Sequence, residues 1–450
     1  MAKVFLAFFN GTKRANEPNA MPIFYEAFIK GLQDSGNDVF AVMHSNWNAD
    51  FLKNGIPETL LNDIKLFNPD IIFLFNNNFY DLSKYFDCPI IIYEVDSPLY
   101  YKNQEILKAK PERFQYFVSA STSKDTLIND FKVPKKNILQ VPFFTAVQAE
   151  NIEKKHNICF IGTKFRNSYK HCFNNFMETN PTDEEREEFK NLMLKLQDNV
   201  FISKEELFKN TTSQKILSTF KPYDVTFMLS DYRRIDVLSA IADLGINIWG
   251  TPNWASDFYN EPWLILNFHN EAVYTIKHNQ DIYNSSKIGI NIGHLQAKKG
   301  FPWRVFDIMA SNACLVTEYH GDFSKYLPDL KLPYFSNAWE AREICKKLLD
   351  NENYRLDIVA QSQEFVNKNY RFINTLKIIE NHLNLSLSKQ LRESENGVCS
   401  LITRLDEYLD KSTETNSCTT SKPKLNFKNK IRYKIWRHFD KILKRKGIIK

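Results

Sequence analysis

Short apolar runs alternate with longer amphipathic stretches along the first third of the chain. The amphipathic stretches predict helices, the first of them over about residues 23–35, where the apolar positions recur at helical spacing. The apolar runs predict buried strands at residues 3–9, 38–43, 71–75, 89–93, 117–120 and 138–141. Strands that alternate with helices are typical of a parallel sheet with helices on both faces. The pattern therefore predicts a doubly wound α/β domain over residues 1–150.

The same alternation resumes after a polar linker that ends near residue 157. The run NICFIGT predicts a strand that ends at Gly162, and INIWG predicts another. Further on, two apolar runs at residues 288–292 and 313–316 flank a glycine-containing loop and a helix over about residues 302–311. We therefore expect a second doubly wound domain over residues 157–372, and helices over residues 373–410 that pack back on the first domain.

The loop and helix of the second domain carry candidate binding residues. Gly300 and Phe301 precede the helix, and Arg304 and Asp307 lie three residues apart on one of its faces. A helix start that follows a glycine loop favours anions. A cation next to a carboxylate suits a ligand with both phosphate and vicinal hydroxyls, such as a nucleotide sugar. Alternatively, the two side chains pair with each other on a solvated surface.

The first domain offers candidate catalytic residues where predicted strands end, the edge at which ligands bind in such sheets. Glu94 and Asp96 follow one strand, and His44 ends another. Asp96 is a candidate general base; with Glu94 it also resembles a D-x-D metal site, and it can instead be part of a turn before Pro98. His44 is a second candidate base, or a histidine of the core.

The segment W-R-V-F-D-I-M-A-S-N-A-C-L-V-T-E-Y, residues 303–319, resembles the signature of the CgeB-like glycosyltransferases, a bacterial branch of the GT-B glycosyltransferases. The recurrent core of that signature is R-V-F-[DE]-x-x-A-x-G-x-x-x-x-T. The resemblance extends through Asn291 and through residues 348–370. It implies a GT-B fold, in which two Rossmann-like domains face a cleft and the second holds a nucleoside diphosphate sugar. It also implies no cofactor beyond this co-substrate, and no metal.

The resemblance also assigns site residues. A strand ending F-I-G-[ST] with a nearby arginine matches Gly162, Thr163 and Arg166, and the first loop of the chain contributes possible substrate contacts from Asn10 and Gly11. Many retaining enzymes carry an acid seven residues before the position of Asp307, where this chain has glycine. The implied donor-binding set is Gly162, Thr163, Arg166, Arg233, His294, Gly300, Phe301, Arg304, Asp307 and Glu318.

Net charge separates the tail from the rest of the chain. Residues 421–450 contain twelve Lys or Arg and one Asp, which gives the tail a net charge of +11. The whole chain has a net charge of +6, so the remaining residues carry −5. After a polar linker at residues 411–423, apolar residues recur at helical spacing over residues 424–450, with Trp436 among them. A basic amphipathic helix of this kind is typical of an anionic membrane surface. Nucleic acid is the competing partner for such charge, but it does not require the apolar face.

These patterns together predict an enzyme. Seven cysteines without a C-x-x-C pair, and an N-terminus without a signal peptide, favour a cytoplasmic protein. We expect a glycosyltransferase that adds a sugar to a surface-glycan acceptor, such as capsule or lipooligosaccharide, or to a lipid-linked acceptor, at the cytoplasmic face of the membrane. The alternatives are a non-catalytic nucleotide-sugar-binding protein and a metal-dependent enzyme that uses Glu94 and Asp96.

Overall fold

The structure is a computed structural model that describes residues 2–9, 21–44, 55–76, 78–101, 103–165, 168–257, 261–296, 299–388 and 399–404. These residues belong to one compact unit, which extends to residue 406. They form two parallel sheets, each covered by helices.

The first sheet has seven parallel strands in the order β13-β2-β1-β3-β4-β5-β6. Its core strands are continuous apolar runs that are buried on both faces, as parallel strands between two helix layers require. The strands are β1 (Lys3–Phe9), β2 (Asp38–His44), β3 (Ile71–Phe75), β4 (Ile90–Tyr93), β5 (Gln115–Val118), β6 (Ile138–Gln140) and β13 (Cys399–Arg404). The helices of this half are α1 (Ile23–Asp34), α2 (Glu58–Phe67), α3 (Gln104–Ala109) and α4 (Ser121–Asn129).

The second sheet has six parallel strands in the order β12-β11-β10-β7-β8-β9. They are β7 (His156–Ile161), β8 (Ile246–Trp249), β9 (Phe268–His269), β10 (Ser286–Asn291), β11 (Cys314–Glu318) and β12 (Tyr334–Phe335). Its helices are α9 (Pro222–Ala240), α10 (Pro262–Leu266), α11 (Ile276–Asn284), α12 (Arg304–Ala310), α13 (Phe323–Tyr326), α14 (Ala338–Asp350) and α15 (Glu352–Asn369).

A helical insertion separates β7 from α9 and has its own apolar core. It consists of α5 (Ser168–Glu178), α6 (Asp183–Asp198), α7 (Lys204–Leu207) and α8 (Gln214–Thr219). Thr182 and Glu185 start α6 with a capping box, in which each side chain bonds the main-chain amide of the other residue. Phe176 of α5 stacks on Phe189 of α6 at 4.7 Å between ring centroids, so the insertion packs around aromatic rings.

The last described helix, α16 (Phe372–Leu383), returns from the second domain to the first. Its Phe372 ring packs on Phe28 of α1 and on Phe144, at 5.5 and 5.1 Å between centroids. Gly31 makes this approach possible, because a Cβ atom at this position would overlap the Phe372 ring. The two domains are therefore joined twice, by the linker between β6 and β7 and by α16.

The sequence predicted the strands more accurately than the ends of the helices. The strand at residues 71–75 is confirmed to the residue, and the helix expected over residues 302–311 is the shorter α12. The helical expectation for residues 383–410 was wrong in the described part, where α16 ends at Leu383 and β13 pairs in parallel with β2. None of the helices in the described part of the chain combines the length and apolarity needed to cross a lipid bilayer.

Candidate functional site

A cleft between the two sheets contains two adjoining cavities of about 340 and 220 Å³. The larger lies between the carboxyl ends of β4 and β5 and the loops that follow β7 and β10. The smaller lies entirely against the second domain, apart from Pro22 and Ile23 at the start of α1. Thr163, Trp303 and Arg304 line both cavities, so one extended ligand is able to contact all three residues at once.

The carboxyl group of Glu94 lies in the first-domain wall of the larger cavity. One oxygen accepts hydrogen bonds from the Ser119 amide at 2.6 Å and the Ser119 hydroxyl at 3.2 Å, and the other accepts from the Ser123 hydroxyl. Burial raises the pKa of Glu94 to about 7, and these hydrogen bonds oppose the rise. Glu94 therefore ties the end of β4 to the start of α4, and it holds a proton near neutral pH.

Asp96 lies in the same wall and is held by two amide side chains. Asn76 donates to Oδ2 of Asp96 at 3.0 Å, and Gln296 of the second domain donates to Oδ1 at 3.0 Å. The side-chain oxygen of Asn76, Oδ1, also accepts hydrogen bonds from the main-chain amides of Val95 and Asp96, at 3.0 and 2.9 Å. Burial raises the pKa of Asp96, and both amide side chains oppose the rise. The predicted base is therefore present at the cleft in a fixed orientation.

Gly162 and Thr163 follow β7 and form a floor, in which Gly162 lines the smaller cavity and Thr163 lines both. The carbonyl oxygen of Gly162 accepts a hydrogen bond from the Trp254 indole at 3.0 Å. Gly250 allows the strand ends to approach, because a Cβ atom there would overlap that same carbonyl oxygen. The β7 loop is thus held rigidly, with the exposed Thr163 side chain at the junction of the cavities.

Two arginines bring positive charge to this floor. Arg234 of α9 and Arg304 of α12 both lie over the Phe160 ring, at 5.7 and 5.6 Å from its centroid. Arg234 also donates to the Thr163 carbonyl oxygen, and Arg304 donates to Asn291 Oδ1 at 3.4 Å. Burial, and then the charge of Arg304, lowers the pKa of Arg234 to about 9. Neither arginine forms an ion pair with a carboxylate among the described residues, so their mutual repulsion favours a bound anion.

Three residues of the predicted donor-binding set, His294, Gly300 and Phe301, line the larger cavity. The His294 ring lies between Phe165 and Phe227, at 4.6 and 4.7 Å between centroids. Burial, and then the charge of Arg234, lowers the pKa of His294 to about 3. The main-chain amide of Gln296 donates a hydrogen bond to Nδ1 of His294 at 3.1 Å. The neutral ring therefore carries its proton on Nε2.

The smaller cavity is lined by aromatic side chains and by one carboxyl group. Trp249, Tyr274 and Tyr283 provide the rings, and Asp307 provides the carboxyl. Thr145 of the linker donates to one Asp307 oxygen at 2.6 Å and Asn279 to the other at 3.0 Å. Burial raises the pKa of Asp307 to about 6, and Thr145 and Asn279 oppose the rise. Asp307 does not form an ion pair with Arg304, so the predicted surface pairing of these two residues is not formed.

Arg233 and Glu318, both in the predicted donor set, contact each other instead of lining either of these cavities. The Arg233 guanidinium donates to Glu318 Oε1 at 2.8 Å, and it also donates to the carbonyl oxygens of Val200 and Phe201. Both side chains are buried. Arg233 therefore attaches the helical insertion to the end of β11, a role that its neighbour Arg234 does not share.

Other predicted residues lie away from the two cavities or outside the described part. His44 is buried at the end of β2, with its ring against Phe9 and Phe79. Lys164, which follows the predicted Thr163, is buried and pairs with Asp231 at 3.4 Å. The predicted positions outside the described residues are Asn10, Gly11, Arg166 and the tail at 424–450.

Asn76, Arg234 and Gln296 are outside the predicted donor set, although the pattern places Asn76 after a strand, at the edge where ligands bind, and the family layout includes Arg234 beside Arg233. Helical phase distinguishes Arg234 from Arg233, because adjacent helix residues point about 100° apart, but the buried face of α9 is not evident from its mixed sequence. Asn76 and Gln296 meet Asp96 across 20 and 200 residues of chain. No local pattern indicates contacts at that separation.

Comparison with known proteins relates part of the chain to one family and the whole fold to solved structures. Residues 233–381, less than half of the chain, match a family model described as glycosyl transferase-like. This segment contains Arg233, Arg234, Arg304 and Asp307. No curated protein sequence matches the chain.

Two solved structures share the fold. A sucrose-phosphate synthase from Thermosynechococcus elongatus superposes with a TM-score of 0.54 at 9% identity, covering 85% of this chain and 99% of its own. Anabaena HepE, in complex with UDP and glucose, gives a TM-score of 0.50 at 9% identity, covering 85% of this chain and 100% of its own. The fold is therefore that of GT-B glycosyltransferases, as predicted.

Protonation of Glu94 generates a prediction about stability. The pKa of Glu94 is raised from its ordinary value of 4.5 to about 7 in the folded protein, so between pH 4.5 and pH 7 this group binds more protons in the folded state than in the unfolded state. Through Glu94, the free energy of unfolding should therefore fall as pH rises through this window. Glu94→Gln should flatten that fall, by on the order of 3 kcal/mol at most.

Urea unfolding at pH 5 and pH 8 measures this change. Glu105→Gln is the matched control, since the Glu105 side chain is exposed on α3 of the same domain, and it should leave the pH dependence as in the wild type. A Glu94→Gln protein that loses as much stability as wild type between the two pH values contradicts the assignment. Asp307 contributes in the same direction over a narrower window, so part of the fall should remain.

Proposed function

We propose that this protein is a glycosyltransferase that moves a sugar from a nucleoside diphosphate sugar to the hydroxyl of an acceptor. The GT-B fold, the glycosyl transferase-like segment at residues 233–381, and the UDP and glucose bound to HepE support this function. The observation that carries it is the pair Arg234 and Arg304, which lie over one ring in the cleft without a carboxylate ion pair among the described residues.

The diphosphate of the donor binds at the junction of the two cavities. There it meets Arg304, Thr163 and, behind the Thr163 carbonyl, the buried charge of Arg234. When the bond from sugar to diphosphate breaks, negative charge develops on the leaving oxygen. Fixed cations in a water-poor cleft stabilise that charge without any proton transfer. Arginine also suits phosphate because its guanidinium donates two parallel hydrogen bonds.

The nucleoside occupies the smaller cavity. Trp249, Tyr274 and Tyr283 supply apolar contact for a base, and Asp307 supplies a carboxyl group for ribose hydroxyls. Each Asp307 oxygen already accepts one hydrogen bond, and a carboxylate oxygen accepts two. The orientation that Thr145 and Asn279 give to Asp307 therefore leaves each of its two oxygens able to accept one further hydrogen bond from a ribose hydroxyl.

The acceptor occupies the larger cavity, with its hydroxyl at Asp96. Asp96 takes the hydroxyl proton while the hydroxyl oxygen bonds to the anomeric carbon. His294, Gly300 and Phe301 then lie near the transferred sugar. In this mechanism the arginines stabilise the leaving group and no metal or cofactor is needed. His44, the other predicted base, lies outside both cavities and has no part in this mechanism.

The acceptor is a surface-glycan precursor or a lipid-linked glycan at the cytoplasmic face of a bacterial membrane. The support is the composition of the tail, in which twelve basic residues surround an apolar helical pattern. A protein with such a tail concentrates at the surface where a lipid-linked acceptor is found. This localisation is a proposal from sequence alone.

Substitution of Arg304 tests the donor site. Arg304→Ala should weaken UDP binding by about 10- to 100-fold, which corresponds to the loss of one charge-assisted hydrogen bond or a bidentate pair. Arg304→Lys should lose less, because the charge stays. Isothermal titration calorimetry with UDP and GDP measures both affinities.

Arg186→Ala is the control for that experiment, since Arg186 is an exposed arginine on the insertion of the same domain. Its affinity for the nucleotide should equal that of the wild type. Unchanged nucleotide affinity in Arg304→Ala rejects the donor site. Nucleotide-sugar binding without release of UDP or GDP, with or without acceptor extracts, favours the non-catalytic alternative over the enzyme.

Removal of residues 424–450 tests the membrane proposal. The truncated protein should lose binding to vesicles of anionic phosphatidylglycerol, because the deleted residues carry most of the positive charge of the tail. It should keep its nucleotide affinity, because the residues that line the two cavities are all retained. Co-sedimentation with anionic and with purely zwitterionic vesicles measures this binding. Equal sedimentation of the full-length and truncated proteins with anionic vesicles would remove the membrane from the proposal.

A further inference from the structure

Asp96 has two oxygens in different situations. Asn76 holds Oδ2 from within the first domain, and its own carbonyl oxygen is fixed by the amides of Val95 and Asp96. Gln296 holds Oδ1 from the second domain. The Asn76 contact therefore stays when a ligand enters the cleft, whereas the Gln296 contact depends on the position of the opposite wall.

The segment that presents Gln296 is itself anchored to the second domain. The main-chain amide of Leu295 donates to the Ser230 hydroxyl at 3.1 Å, and the main-chain amide of Gln296 donates to His294 Nδ1. The Gln296 side chain spans the cleft from this anchor, and both it and Asp96 line the larger cavity. Its Nε2 atom lies 3.0 Å from Asp96 Oδ1, close to where the oxygen of a hydroxyl donor would lie.

We propose that Gln296 is a specificity-determining residue, which occupies the acceptor-hydroxyl position on Asp96 until an acceptor displaces it and thereby limits hydrolysis of the donor. This inference depends on the proposed function, since it gives Asp96 the role of base. Transfer and hydrolysis use the same step: a hydroxyl or a water molecule gives its proton to Asp96, its oxygen bonds to the anomeric carbon, and the bond to diphosphate breaks. Only the attacking molecule differs.

Displacement of Gln296 distinguishes the two attackers. An acceptor contacts the rest of the larger cavity, including Phe143, Phe227 and Trp303, and this binding free energy offsets the loss of the Gln296 hydrogen bond. A water molecule makes one such contact and gains nothing from the remaining walls. Gln296 thus admits a molecule of the acceptor's size and excludes water from the base.

Gln296→Ala tests this directly, with Ser121→Ala as the matched control. Ser121 makes a different contact between the domains, with its amide and hydroxyl bonded to Asp322 at 2.8 and 2.6 Å. The alanine substitution removes the hydroxyl contact, which loosens the domains, and leaves both side chains on Asp96 in place. The first measurement needs no substrate: carbodiimide labelling of carboxyl groups, followed by mass spectrometry of the Asp96 peptide. Labelling of Asp96 should rise in Gln296→Ala and stay at the wild-type rate in Ser121→Ala.

The second measurement is release of UDP or GDP, without acceptor, from whichever of UDP-glucose and GDP-mannose binds more tightly. Gln296→Ala should raise this release about fivefold, the factor that corresponds to one ordinary hydrogen bond, while donor affinity stays as in the wild type. Equal Asp96 labelling in Gln296→Ala and wild type, or an equal rise in Ser121→Ala, overturns the inference. So does increased labelling without increased hydrolysis of a donor that binds. Failure of both sugars to bind instead contradicts the proposed function, while the labelling still reports whether Gln296 covers Asp96.

Discussion

Two like charges held close together in one cleft are the central constraint on this structure. Arg234 and Arg304 lie over the same Phe160 ring, and the pKa of Arg234 falls to about 9 because of its burial and then the charge of Arg304. A protein stabilises such an arrangement with nearby carboxylates or leaves it for an anionic ligand. Here two carboxyl groups whose charges act on Arg234 have other partners: Glu318 pairs with Arg233, and Asp231 pairs with Lys164. The charge therefore faces the cleft.

The rest of the fold holds the two walls of this cleft together. Trp303, beside Arg304, stacks on Phe24 of α1 at 5.6 Å between centroids, and Thr145 of the linker bonds Asp307. The helix α16 adds a second connection through Phe372. Because these contacts join the arginine-bearing helix α12 to the first domain, a ligand at the arginines also comes within reach of Asp96. A ligand at the arginines and the position of Asp96 are thus linked through the same few side chains.

The architecture was predictable from the sequence because buried parallel strands leave an unmistakable local pattern, as residues 71–75 show. The strand at residues 399–404 was not predictable. It is an edge strand far along the chain from the other strands of its sheet, and it is defined by its pairing with β2 and not by its own residues. The site was predictable in part: Arg304, Asp307, Gly162 and Asp96 lie at the cleft. The choice between Arg233 and Arg234 depended on which side of α9 faces the cleft, since both side chains are buried. The two amide side chains on Asp96 depended on contacts between distant parts of the chain.

A crystal structure of the protein with bound UDP tests the central claim most directly. The account predicts diphosphate oxygens within hydrogen-bond distance of the Arg304 guanidinium and of the Gly162–Thr163 loop. It also predicts that the uracil ring lies against the aromatic rings of the smaller cavity. A nucleotide bound outside this cleft, or an Arg304 side chain that makes no hydrogen bond to the diphosphate while UDP is bound, would contradict it.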